Sequence, residues 1–220
     1  SLLAVPMAWM LAGTLGAASG MALGESDDAK RVFSLTSPSV VTVRTEDGKG
    51  LAEGQGSGVV VAPQRVVTNC HVIENAPVIR VYVGDKGLPA TWLRQNAVQD
   101  LCLLQVNGLG AAPARLREGA VPRVGEPVFA VGNPLGFGLA VSAGLVAVGE
   151  QTQPHPYLVS TAPQSPGSSG GGLFDRDGRL VGVTRAILGT GQNLNMAMSA
   201  GSVAALLAAG DAPPAPAAAC

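Results

Sequence analysis

Twelve short runs of β-branched and aliphatic residues, each three to eight residues long and fenced by Gly, Pro, Asn or Asp, leave little choice of fold class. Six fall in the first half, at 39–44, 58–62, 66–68, 78–83, 90–94 and 101–106, with a polar glycine-containing loop at 45–55. Six more fall at 128–131, 141–148, 157–161, 172–174, 180–185 and 194–198. No helical pattern intervenes between neighbouring runs, so they read as two closed β units and not as βαβ repeats. The stretch 107–127 is rich in Gly, Ala, Pro and Arg without periodicity, and is the expected crossover. The units are placed at 32–110 and 111–209, the second ending in a short helix over 199–209 with Ser199 or Ser202 as its cap and Gly210 as its stop. Residues 210–220 are Ala/Pro-rich and expected to be a disordered tail.

Residues 1–24 carry no charge, and 2–15 are mostly apolar. A signal peptide, a membrane anchor and a buried core helix are the three readings; the first two place the rest of the chain outside the cytoplasm. Charged residues make up 13% of the chain and the formal net charge is −1, which excludes the basic footprint that nucleic acid requires. Cys70, Cys102 and Cys220 have no metal-like spacing and only two histidines accompany them, so neither a metal nor another cofactor is expected. Cys70 and Cys102 flank one corner of the first unit, where a disulfide and two buried thiols both remain open.

Chemistry concentrates at Ser165-Pro166-Gly167-Ser168-Ser169-Gly170-Gly171-Gly172. Glycines permit positive φ and close backbone approach, so such a turn can present the Ser169 hydroxyl beside the amides of Gly167 and Ser169, the outline of an oxyanion hole. A flexible Gly/Ser loop is the alternative. A serine nucleophile needs a base and an orienting carboxylate. The glycine spacing also fits the elbow of α/β-hydrolases, but their histidine follows the serine, and both His71 and His155 precede Ser169. His155 sits between two prolines in a loop; His71 ends a strand-like run. A subtilisin order would require Asp27, Asp28 or Asp47, all in polar stretches. Between His71 and Ser169 stand only Asp85, in a Gly-Asp-Lys-Gly turn, and Asp100, which leads into the apolar run 101–106. Asp100 fits the buried role of a triad aspartate. The aspartates of Asp175-Arg176-Asp177-Gly178 read as hairpin-turn formers.

Five blocks occur in an order that resembles the HtrA/Deg-type serine proteases: Gly56-Ser57-Gly58, Thr68-Asn69-Cys70-His71, Asp100-Leu101, Gly132-Asn133-Pro134-Leu135-Gly136 and Pro166 to Gly171. The resemblance spans roughly 32–207. It implies two perpendicular six-stranded antiparallel β-barrels with the triad His71, Asp100 and Ser169 in the cleft between them, and endoproteolysis of unfolded or misfolded proteins in an extracytoplasmic compartment such as the periplasm. It also implies a trimer, for which Phe33 is the one candidate contact aromatic. The peptide-binding PDZ domain common in the family is not expected in this chain. By the same resemblance the primary substrate pocket has Ala162, Pro163 and Gln164 at its floor and Asn195 and Met196 along a wall. With no acid among them, small or medium apolar side chains are the expected substrates. Gly172 stands where the family commonly has proline, Ala162 where aspartate is frequent, and 149–156 is shorter than the usual regulatory loop. The competing reading is a catalytically silent barrel that binds peptides or scaffolds an envelope complex.

Overall fold

The computed structural model describes residues 18–151, 156–185 and 194–209, with side chains from Asp27 onward. His155, Cys220 and the tail 210–220 lie outside the described residues, as does most of 1–24. Strands β1 (Val40–Glu46), β2 (Ala52–Ala62), β3 (Arg65–Asn69), β4 (Val78–Val83), β5 (Lys86–Asn96) and β6 (Leu101–Gln105) close into a barrel in the order β1-β2-β3-β6-β5-β4. All its pairings are antiparallel. The polar segment expected as a loop over 45–55 is largely strand, because β2 begins at Ala52 and pairs back to Glu46.

The second half comprises β7 (Arg115–Leu116), β8 (Pro127–Gly132), β9 (Ala140–Gln151), β10 (Tyr157–Ser160), β11 (Gly172–Phe174), β12 (Arg179–Arg185) and β13 (Asn195–Ser199). Strands β11-β8-β9-β10-β13-β12 form a ring that the β11–β12 pairing closes. Strand β7, in the expected crossover, joins its rim by pairing parallel to β12, Arg115 opposite Arg179.

Alternation explains why several strands are apolar along their whole length. Strand side chains point to opposite faces in turn. Val60, Val66, Cys102 and Leu104 fill the first barrel, and Val128, Ala130, Val146 and Leu173 fill the second. Their neighbours Val59, Val67, Leu101 and Leu103 point outward and meet Phe129, Val131, Phe174 and Val183 of the other barrel in one continuous cluster. Both faces of β6 are therefore buried, one inside its barrel and one between barrels. Each such side chain contributes roughly 1.5–3 kcal/mol relative to an exposed position.

Two helices complete this interface. Helix α1 (Ala18–Thr36) runs past the expected leader boundary and inserts Val32 into the inter-barrel cluster, with Phe33 packed against it. Its charged residues Asp28 and Arg31 pair with each other, and Asp28 pairs also with Arg176. Among the described residues no helix is long and apolar enough to cross a membrane. Helix α3 (Ala200–Ala208) is capped by the Ser199 side chain, which accepts from the Ser202 amide. It buries Val203 and Leu206 in the same cluster. Arg94 of β5 donates to the carbonyls of Leu206 and Leu207, placing a cation at the helix C-terminus.

Asp175 does more than form its turn. Its Oδ1 accepts from the amides of Asp177 and Arg179, while Oδ2 pairs with the Arg179 and Arg117 guanidinium groups. Arg117 in turn holds Glu126, so one carboxylate that is 2% exposed ties the β11–β12 hairpin to the crossover.

Candidate active site

The short helix α2 (Cys70–Ile73) follows β3 directly, and this turn carries His71 to the rim of the first barrel. A disulfide joins Cys70 to Cys102 on β6, so the open choice between a bridge and two thiols resolves to the bridge. It closes a loop of about 32 residues, worth about 4 kcal/mol in the chain-entropy account. The other half of the corner is Asp100, held at φ 54° at the end of the 3₁₀ turn Ala97–Gln99. Aspartate tolerates that left-handed conformation better than most residues. Asn69 Nδ2 and the Cys70 amide both donate to the Asp100 carbonyl, which fixes the residue by its backbone.

The carboxylate then grips His71 twice. The His71 amide donates to Oδ1 at 2.9 Å, and Nδ1 lies 2.6 Å from Oδ2. Burial pushes the Asp100 carboxyl up, but the hydrogen bonds from the His71 ring and amide, with the charges of His71 and Arg185, outweigh it and hold the group below its ordinary value. An ionised carboxylate only accepts, so Nδ1 must carry the proton. The neutral ring is left with its lone pair on Nε2.

Ser169 reaches the site from the second barrel. Its turn is built by the Ser168 amide donating to the Ser165 carbonyl and the Gly171 amide to that of Ser168. Thr184 of β12 braces the turn through its hydroxyl on the Ser168 carbonyl at 2.7 Å. Ser57 of β2 crosses between barrels: its amide donates to the Ser169 carbonyl and its hydroxyl to that of Gly167, while the Asn133 amide donates to the hydroxyl. Two glycines are obligatory here. Gly167 and Gly170 have φ of +92° and +85°, and a Cβ on Gly170 would lie 2.1 Å from the Ser57 carbonyl oxygen.

One peptide plane beside Ser169 has a fixed orientation. The Pro166 carbonyl accepts from the Leu135 amide at 2.9 Å. In a trans peptide the N–H points opposite to the C=O, so the Gly167 N–H points away from Leu135. Leu135 itself has φ 53°, a strained conformation for a leucine, held by the turn Pro134–Gly136.

His71, Gln164, Gly167, Ser169 and Asn195 line one cavity of about 380 Å³. His71 and Ser169 thus face the same space, with Asp100 behind the imidazole. Of the residues expected to form the substrate pocket, Gln164 and Asn195 are in this wall; Ala162, Pro163 and Met196 are not. Ala162 is fully buried in the second barrel core, and Met196 packs against the inter-barrel cluster.

Sequence reasoning missed Arg185. Its Nε lies 3.1 Å from Asp100 Oδ2, so a cation from the last position of β12 reaches across the barrels to the carboxylate that orients His71. No spacing signal marks it. Ser57 was visible within its Gly-Ser-Gly block, but its bridging role depends on the docking of the barrels.

Residues 56–183 match the family model described as a trypsin-like peptidase domain. The chain is 35% identical over 142 residues to a probable periplasmic serine endoprotease DegP-like of Ectopseudomonas mendocina, covering 62% of this chain and 30% of that protein. It is 33% identical over 142 residues to the periplasmic serine endoprotease DegP of Escherichia coli strain K12, covering 60% and 30%. The chain thus spans about a third of the length of the curated relatives it matches. Among solved structures, the serine endoprotease from Yersinia pestis superposes with a TM-score of 0.73 at 24% identity, covering 81% of this chain and 65% of the other. The HtrA-type protease AlgW with a tripeptide gives 0.73 at 24% identity, covering 81% and 62%. At that identity the likeness shows the fold alone: two barrels and a terminal helix.

Proposed function

Because the chain belongs to the trypsin-like peptidase domain family, we propose that it is a serine endopeptidase whose nucleophile is Ser169, general base His71 and orienting carboxylate Asp100. The observation that carries this reading is the 2.6 Å contact of His71 Nδ1 with Asp100 Oδ2, on a ring that shares a cavity wall with Ser169. His71 Nε2 takes the Ser169 proton as the hydroxyl oxygen attacks a peptide carbonyl. The Gly167 and Ser169 amides receive the oxyanion, each donor typically worth about 3 kcal/mol. The imidazolium, stabilised by Asp100, then gives its proton to the leaving amine. Water, deprotonated by the same imidazole, releases the acyl group.

A cleft between two barrels admits a polypeptide only in extended form, so unfolded or misfolded proteins are the substrate class. The curated relatives are named as periplasmic, and a disulfide suits an oxidising compartment. Both support an extracytoplasmic location and a role in envelope protein quality control. The test is turnover of casein and labelling by a fluorophosphonate. Both are expected for the unaltered protein and neither for Ser169→Ala; labelling that persists in the variant would assign the nucleophile elsewhere.

Arg185 modulates the same pair. A cation on Asp100 subtracts from the field with which the carboxylate stabilises the imidazolium. Arg185 is part-exposed and its effect is screened. Arg185→Ser is accordingly expected to raise kcat/KM on casein, whereas Arg185→Lys stays close to the unaltered protein. A kcat/KM unmoved in the serine variant would remove Arg185 from the mechanism.

A further inference from the structure

The nucleophile turn is held by its carbonyls, and those of four successive residues are taken. Pro166 accepts from the Leu135 amide at 2.9 Å, Gly167 from the Ser57 hydroxyl at 2.7 Å, Ser168 from the Thr184 hydroxyl at 2.7 Å, and Ser169 from the Ser57 amide at 2.8 Å. Ser57 supplies two of these four clamps, and it does so from the other barrel. The residue is fully buried. The Asn133 amide donates to Ser57 Oγ at 2.8 Å, which occupies a lone pair and leaves the hydroxyl proton for the Gly167 carbonyl.

Gly167 needs such a clamp. It has no side chain to wedge it, sits at φ +92°, and as a glycine can rotate about φ and ψ with little steric resistance. Turning the Pro166–Gly167 plane changes φ of Gly167, and unless ψ changes in compensation the rest of the turn, Ser169 included, is displaced. The bond from Ser57 fixes the carbonyl whose direction ψ sets. Resting on the proteolytic reading above, we propose that Ser57 is a positioning residue of the reaction: by holding the Gly167 carbonyl, its hydroxyl keeps the Gly167 N–H aimed at the oxyanion. Hydrogen bonds to a charged oxygen are stronger than those to a neutral carbonyl, so the transition state benefits more than the bound substrate. The effect does not pass through the imidazole. His71 and Asp100 are held by Asn69, Cys70 and each other, in bonds that do not involve Ser57.

The test is Ser57→Ala. Because one oxyanion donor is worth about 10²–10³ and the other three clamps remain, kcat on casein is expected to fall about 10- to 100-fold per active site, with KM within about twofold. Active sites are counted by the end point of fluorophosphonate labelling, which is expected to persist while the rate of labelling falls with kcat. The acid limb of the kcat/KM profile is expected to stay in place, since the His71–Asp100 pair is untouched. A serine that only stabilised the docking of the barrels would lower the melting temperature and the number of labelled sites, leaving each surviving site at its full rate. Ser57→Cys, close in shape but a much weaker donor, is expected to lose kcat in the same way and decides the matter should the alanine variant not fold. A kcat per labelled site within about threefold of the unaltered protein, a loss confined to KM, or a displaced acid limb overturns the assignment of Ser57 while leaving proteolysis intact. An unaltered protein that neither cleaves casein nor takes the label overturns the proteolytic reading and this one with it.

Discussion

Asp100→Asn is expected to lower kcat by about 10⁴-fold while leaving the barrels folded. The substitution retains the size of the side chain but turns one acceptor into a donor. An amide nitrogen facing His71 Nδ1, now 2.6 Å from Oδ2, would favour the tautomer with the proton on Nε2, which cannot accept from Ser169. Steady-state kinetics on casein, with circular dichroism to verify folding, measures the effect; a loss below tenfold would mean that the carboxylate does not orient the ring. The same residue gives the acid behaviour a sign. Its carboxyl sits below the ordinary value in the folded chain. Its contribution to stability is therefore present above the unfolded value near pH ~4 and is lost as pH falls through the folded one. Asp100→Asn is expected to remove that part of the acid destabilisation.

The second large effect is on folding. Gly170→Ala is expected to destabilise the protein by roughly 2–5 kcal/mol, combining ~1–2 kcal/mol for a left-handed alanine with ~1–3 kcal/mol for overpacking. The added methyl would meet the Ser57 carbonyl oxygen at 2.1 Å and the Thr68 hydroxyl at 2.4 Å, both rigidly held in the first barrel, since Thr68 Oγ1 donates to that same carbonyl. The nucleophile turn cannot retreat either, because the Gly170 and Thr184 amides clamp it to β12. A fall in melting temperature of about 10 °C is the corresponding reading, with fluorophosphonate labelling lost in parallel. A melting temperature within 2 °C or so of the parent would show that the interface between barrels has slack there.

Both substitutions act where the two barrels meet, and there the sequence is least legible. Arg185 illustrates the limit. In the chain it is 85 residues past Asp100 (185 − 100) and closes an ordinary strand, yet it ends 3.1 Å from the carboxylate. The Pro166–Gly167 peptide is another case: residue types show that a glycine-rich turn can point an amide at an oxyanion, but only the bond from Leu135 shows which way the plane lies. The expected substrate pocket is a third case, because residue types do not separate side chains that pack from those that line a cavity. Ala162 and Met196 pack into the cores, whereas Gln164 and Asn195 line the cavity with His71 and Ser169.

Local patterns carry the fold class. Period-two burial and turn residues specify twelve of the thirteen described strands, because each strand's pattern reflects which of its faces meets a core; the two-residue β7 is too short to carry a pattern. The proposed trio His71, Asp100 and Ser169 is likewise chosen by chain order and by the apolar run after Asp100, since a triad needs residues of those types and the chain offers few. Distances between side chains from different barrels are another matter. They depend on how Leu101, Leu103, Phe129 and Phe174 interlock and on what that packing leaves unpaired, and close packing of that kind is a property of the assembled molecule that no stretch of chain carries by itself.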